Sequence, residues 1–299
     1  MILRLQHASD WRAIAFVVIT YALLLLPLFW QIPVLFALIW VPLSGLFCFC
    51  VGIIAHNHMH TPIFQHQWHN QLFNVVLTPA MGHTATQIVI PHNYNHHAYH
   101  GGTQDWSRPE LAGAGMGIVR LIRYWRRTLK NASGGKHRED VPPLPNHLKQ
   151  SLPVEKRALL GFVVIVLAIA PLKALVFVGL PWILGILCML GINLIQHDGC
   201  DAQSRFNHSR NFTGRLSNWF FFNNGYHTIH HLKPTLHWSL LPEAHHRLVK
   251  PDIASELDVK SILSFLLSQY LFSDHSAATP AKIEKKSQLQ ILSLSLGSK

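Results

Sequence analysis

The chain has 299 residues, 49% hydrophobic and only 13% charged, about half the charged share usual in soluble domains, and a net charge of +11. That balance excludes an ordinary soluble globular protein, and the length allows one large domain or two modest ones. The four cysteines, Cys48, Cys50, Cys188 and Cys200, form neither a disulfide framework nor a zinc-type CxxC pattern. They read as small buried side chains, so any metal must be held by histidine.

In chain order, a short arm with Arg4 and Arg12 leads into an apolar run. From Ala13 to Gln104 there is no Lys, Arg, Asp or Glu. The run is too long for the core of a signal peptide. At 1.5 Å per residue, Ala13–Ala55 has room for two spans, 13–30 and 34–55, with the turn at Trp30-Gln31-Ile32-Pro33. The stretch Thr61–Pro91 is broken by His66, His69, Pro79 and Gly82 and reads as interfacial helices or a re-entrant piece. Over Gly117–Lys130, Ile118, Leu121, Ile122, Trp125 and Leu129 share one helical face, with Arg120, Arg123, Arg126, Arg127 and Lys130 on the other. This predicts a basic amphipathic helix lying on a membrane. Asn131–Ser151 reads as loop. A second apolar region, Ala158–Gln196, predicts spans at 157–177 and 180–197, with a turn at Pro171-Leu-Lys173 or at Gly179-Leu-Pro181. Ala254–Phe272 predicts one more amphipathic helix, and 273–299 a flexible cytoplasmic tail.

The expected architecture is therefore an all-α membrane protein, one domain over 1–272, with four transmembrane helices and a helical cytoplasmic cap. With four spans, 24 of the 25 Lys and Arg fall on one side and Lys173 alone on the other. This places both termini and the histidine-rich segments in the cytoplasm. Topology thus accounts for the basic charge, and no nucleic-acid partner is expected.

Histidine is clustered: 18 of 22 lie within 56–100 and 197–246. His56-Asn-His-Met-His60 places His56 and His60 one turn apart at the end of the second span, a costly position unless the pair binds something. His92 and His96 repeat the spacing, with His97 adjacent. Asn193 and His197 are one turn apart at the end of the fourth span. His227, His230 and His231, at i, i+3 and i+4, share a helical face. These nine histidines suffice for two metal ions with four or five nitrogens each. Imidazole alone does not select the metal, but two ions at a membrane surface suit redox chemistry with O2, which zinc does not perform.

The HxxxH, HxxxHH and HxxHH boxes, in this order between paired spans, resemble the membrane fatty acid desaturase and hydroxylase superfamily over roughly residues 35–250. The third box is especially close, with Asn224-Gly-Tyr-His227 before His230-His231 and with Pro234, Trp238 and Leu241-Pro242 after it. The Asn193–His197 pair resembles an additional ligand pair of the acyl-coenzyme A desaturases. The resemblance implies a four-span, mushroom-shaped fold with a centre of two iron ions under the cap, and an acyl chain threading in from the membrane. It implies metal ligation by His56, His60, His92, His96, His97, Asn193, His197, His227, His230 and His231. Hydrogen is then removed from an unactivated C–H, and loss of a second hydrogen gives an alkene. No separate catalytic acid, base or nucleophile is expected.

Two features depart from the pattern. Asn57 stands where many relatives carry Asp, and His58 and His100 are extra histidines within the boxes. His58, His100 and Asp198 are read as side chains that back the ligands. Asp105 and Glu243 could also orient a ligand imidazole by accepting its distal N–H, but the simpler reading of each is a solvated carboxylate, and only Asp198 is favoured. His66, His69, His83, His208, His237, His245 and His246 read as surface, interfacial or hydrogen-bonding groups. The substrate is expected to be an acyl-lipid, acyl-CoA or acyl-carrier. No flavin, nicotinamide, iron–sulfur or heme signature is present, so electrons are expected from a separate ferredoxin or cytochrome b5 type donor. The basic helix is expected to bind membrane lipids or that donor. A hydroxylase, ketolase or terminal-alkene-forming oxidase shares the first chemical step. A membrane metal transporter would place its histidines near the bilayer midplane, whereas these lie at span ends.

Overall fold

A computed structural model describes residues 4–134 and 141–271. The expected tail, 273–299, lies outside the described residues, as does part of the loop expected at 131–151.

Helix α1 (Trp11–Phe29) follows a short turn at Ala8–Asp10, and α2 (Val34–His60) follows Pro33, so the turn at Trp30–Pro33 falls where the proline predicted it. Next come α3 (Gln67–Met81), a tight turn at Ala85–Ile88 and a π-helix at Val89–His96 that runs into α4 (His97–Tyr99). Then come α5 (Gly117–Gly134) and α6 (Asn146–Ile169). The chain breaks at Ala170, with φ −157° and ψ 83°, because Pro171 excludes helical backbone at the residue before it. From Pro171 it is helical to His197, through α7 (Pro171–Ala174), a π turn at Leu175–Gly179 and α8 (Leu180–His197). Of the two turns the sequence offered, the break falls beside Pro171-Leu-Lys173, and the chain stays helical through Gly179-Leu-Pro181.

Among the described residues three helices are long and apolar enough to cross a bilayer: Ala8–Phe29, Val34–His60 and Pro171–His197. Helix α6 is not among them. Lys149, Glu155, Lys156 and Arg157 occupy its first half, and its uninterrupted apolar part, Ala158–Ile169, is about 18 Å long. Outward-facing Leu35, Leu38, Ile39, Val164, Ile165 and Ile183 are all more than half exposed, as side chains facing hydrocarbon would be.

Two contacts orient these helices. Lys173 Nζ donates to the carbonyls of Trp30 (2.8 Å) and Leu28 (3.4 Å), satisfying acceptors left free at the end of α1. The α1–α2 turn and the start of α7 therefore lie together, at the end remote from His60 and His197. Helices α2 and α8 run side by side in the same direction: Gly45 faces Leu184, Gly185 faces Cys48 and Gly52 faces Met189. At Gly185 a Cβ would lie 2.9 Å from Cys48 Cβ and 3.1 Å from Phe49 N, so the close approach requires glycine. This parallel register brings the ends of α2 and α8 to one level.

The remaining chain covers that level. It comprises β1 (Asn211–Phe212), α9 (Arg215–Phe220), α10 (His227–Leu232), α11 (Leu241–Leu248), β2 (Asp258–Val259) and α12 (Ile262–Leu266). The two short strands pair in parallel. They divide the single helix expected over 254–272, because Asp258–Val259 is held extended by β1 and Ser261 starts a new helix by accepting from Ser264 N–H. A buried core of Phe49, Ile53, Ile54, Leu77, Phe222 and Ile229 supports the histidine-bearing ends from below.

Helix α5 is amphipathic as expected, with Ile118, Val119, Ile122 and Leu129 exposed. Its basic residues differ from expectation. Arg120 forms a two-pronged pair with Asp198 at 2.7 and 2.8 Å. Arg123 donates to the carbonyls of Ala112 and Ala114, and Arg127 to that of Leu111. Three of the five cations are therefore engaged by the protein's own chain.

Candidate metal centre

Each box is delivered by a different local structure. His56 and His60 end α2 at helical spacing. The second box lies in a π-helix, whose wider turn aligns residues five apart, so His92 pairs with His97 rather than with His96 as α-helical spacing predicted. The third box is α10. Its start is fixed by Asn211, whose Oδ1 accepts from Thr228 N–H at 3.0 Å, a side-chain cap. Before it, Phe222 and Asn223 adopt left-handed backbone, φ 47° and 59°, a conformation costly for residues with a Cβ. Gly225 has no room for a side chain, since a Cβ would run into the Phe212 carbonyl oxygen.

The nine histidines separate into two clusters. His56, His60, His92, His97 and His230 form one; His96, His197, His227 and His231 form the other. Within each, the candidate ligand atoms all lie within 4.8 Å of one another. In the first, four Nε2 atoms close a ring: His56–His92 2.7 Å, His92–His97 3.0 Å, His97–His230 3.1 Å and His230–His56 3.1 Å. Nitrogens about 3 Å apart are close enough to share a single ion at the roughly 2.1 Å of a metal–imidazole bond. His60 Nε2 joins the same cluster, buried and without a hydrogen-bond partner. In the second cluster His197 Nε2 lies 3.1 Å from His96 Nε2 and 3.0 Å from His227 Nε2, which is 3.1 Å from His231 Nε2.

Five of these imidazoles, all outside the spans, are held neutral. Burial, reinforced by the neighbouring imidazoles, lowers His92, His227, His230 and His231 well below the ordinary histidine pKa, and His97 to about 2. Converging neutral nitrogens repel one another's protons and offer lone pairs, which is the donor set a transition metal requires. The residues present fit two ions.

The groups behind the clusters differ in part from expectation. The carboxylate that meets a cluster imidazole is Asp105, fully buried, with Oδ2 3.0 Å from His96 Nδ1. Its other oxygen accepts from Ser107 N–H and Oγ–H at 2.9 and 3.0 Å. Burial alone would raise its pKa, but His96 and Ser107 outweigh it and hold the carboxyl below the usual range. Asp198, expected to back His197, turns away, and its carboxylate is taken by Arg120 and by the Tyr270 hydroxyl at 2.7 Å. The reading of Asp105 as solvated and of Asp198 as the supporting carboxylate is therefore reversed.

His197 Nδ1 lies 2.9 Å from His100 Nε2 and 3.2 Å from the His208 carbonyl oxygen, so His100 stands directly behind a cluster member. His58 lies outside both clusters. Its Nδ1 accepts from Ile63 N–H (3.1 Å) and its Nε2 faces the Asn70 carbonyl oxygen (3.4 Å), which makes it a brace for the chain after α2. Asn193 donates its amide hydrogens to Tyr124 Oη (2.7 Å) and Ser107 O (3.2 Å).

Sequence reasoning missed His208, which is buried and stacked edge-on near His100 and His231. Only its membership of the C-terminal histidine window hinted at this. His237 is likewise buried, its Nε2 3.0 Å from Asp10 Oδ1.

Comparison with known proteins agrees with this geometry. No curated protein sequence matches the chain significantly. The family described as Fatty acid desaturase matches residues 33–258, a stretch that begins just before α2, includes every histidine of both clusters and ends at β2. Since this covers well over half of the chain, the protein belongs to the fatty acid desaturase family.

Proposed function

We propose that the protein is a membrane-bound, O2-dependent fatty-acyl desaturase whose two histidine clusters hold two iron ions. The observation that carries this reading is the division of nine histidines, all buried or partly buried, into two convergent sets at the ends of α2 and α8. Its placement at helix ends, not midway along a span, favours catalysis over metal transport. Iron bound there would supply O2 activation strong enough to remove hydrogen from an unactivated C–H.

The protein's own residues have three tasks in this reading. His56, His60, His92, His97 and His230 fix one ion, and His96, His197, His227 and His231 the other. Asn193, its amide hydrogens committed elsewhere, is left to offer its carbonyl oxygen to the second. Asp105 holds His96 in the tautomer that presents Nε2. An apolar cavity lined by Ile53, Ile192, Phe212, Phe221 and Ile262 reaches Asn224, whose side chain lies 3.3 Å from His56 Nδ1.

In the proposed topology α6 supplies the remaining crossing. The charge asymmetry then places both termini and the metal centre in the cytoplasm, with Lys173 opposite. Electrons come from a separate ferredoxin or cytochrome b5 type protein.

Expression in a host lacking the activity, followed by mass spectrometry of total lipids with double-bond location, tests the reading. A new double bond is expected. A new alcohol or ketone would transfer the protein to the oxygenases on the same scaffold. Purified protein holding one zinc ion instead of two iron ions would sink the mechanism.

A further inference from the structure

Helix α5 grips the second cluster from two sides. On one side Tyr124, fully buried, donates its hydroxyl to the Ser107 carbonyl at 2.7 Å and accepts from Asn193 Nδ2 at 2.7 Å. Ser107 in turn holds Asp105 through its N–H and Oγ–H, and Asp105 holds His96 at 3.0 Å. On the other side Arg120 binds both oxygens of Asp198 at 2.7 and 2.8 Å, immediately after His197. One helix thus connects the segment that fixes His96 with the end of α8 that carries Asn193 and His197. None of these α5 side-chain bonds goes to α2 or α10, which supply His56, His60 and His230 to the first cluster.

We propose that Tyr124 is a positioning residue for the second cluster. Its hydroxyl joins the Asn193 amide and the Ser107 carbonyl into one unit. Together with the Arg120 fork on Asp198 it makes α5 a clamp that sets the metal affinity of that cluster and not of the first. A buried hydroxyl bonded on both sides tolerates no drift without leaving a donor or an acceptor unsatisfied. Partners behind metal ligands typically govern about 10- to 100-fold in metal affinity. The inference rests on the two-ion reading above.

The test compares full-length wild type and Tyr124→Phe, both purified in lipid nanodiscs, loaded with ferrous iron and then dialysed against a graded chelator series. Iron per chain is measured, and Mössbauer spectra distinguish the two sites. Wild type is expected to keep two ions at chelator concentrations where Tyr124→Phe keeps one, with one site lost from the spectrum and the other unchanged. Arg120→Gln is expected to give the same selective loss, and it serves should Tyr124→Phe fold poorly. Arg127→Ala, which removes only the bond to Leu111, is expected to keep both ions. Retention of both ions in Tyr124→Phe and Arg120→Gln, or equal loss from both sites, overturns the clamp and leaves the two-ion reading standing. Wild type that holds no iron at either site overturns both.

Discussion

His96 and His97 are neighbours in the chain, yet they serve different clusters. The Nε2 of His97 faces His92 and His230 at 3.0 and 3.1 Å, whereas that of His96 faces His197 at 3.1 Å. Substitution of either to alanine should remove one ion and not the same one. His97→Ala should leave the His96 site's spectrum intact, and His96→Ala the converse, with the proposed activity reduced at least about 100-fold in each. Iron content with site-resolved spectroscopy checks both halves.

Asp105 is the carboxylate to change if ligand support is to be separated from ligand loss. Asp105→Asn keeps an acceptor for His96 Nδ1–H but removes the charge. It should weaken iron binding at the second cluster about 10-fold, and Asp105→Ala should weaken it more. Competition with a chelator of known affinity gives the number. Asp198→Asn should act through Arg120 and leave the tautomer of His96 unaffected, which histidine ring NMR of the diamagnetic zinc-substituted protein reports.

His230 and His237 lie close in sequence and should respond differently. His230→Ala opens the Nε2 ring of the first cluster and should abolish activity and lower iron content. His237→Ala removes a donor to buried Asp10 and should cost about 1–3 kcal/mol of stability, while folded protein keeps its iron. Thermal unfolding in detergent together with metal analysis separates the two. Loss of iron from folded His237→Ala would contradict the assignment.

Gly225→Ala should fail before any chemistry is reached. The added Cβ meets the Phe212 carbonyl oxygen, and the strained turn at Phe222–Asn223 has no slack to yield. A destabilisation above about 2 kcal/mol is expected, with loss of iron from both sites, since α10 feeds both. Folding yield and iron content of the purified variant measure it.

Much of this was legible in the residues. The apolar runs specified α1, α2 and the helix ending at His197, and histidine spacing picked out all nine cluster members. The division between clusters was not legible. It depends on a π-helix at Val89–His96, and nothing in the residue types there signals a turn widened by one residue. The supporting carboxylate was hidden for a related reason. Asp198 is adjacent to His197 in sequence, but the backbone leaves the helix at that residue and turns the side chain toward Arg120. Asp105 comes to His96 through a loop whose path only the fold defines. The arginines of α5 look like a solvated face by periodicity, because pattern alone cannot report the carbonyls that Arg123 and Arg127 meet.

The third box supplies members to both clusters: His230 to the first, His227 and His231 to the second. This has a consequence for biogenesis. Neither set of nitrogens can close until the last quarter of the chain has been synthesised and laid across the ends of α2 and α8. The helices that carry His56, His60 and His197 are therefore complete before either set of nitrogens is. In the two-ion reading, loading of the complete sets is then a late event, since a chain ending before residue 227 carries six of the nine cluster histidines and neither full set.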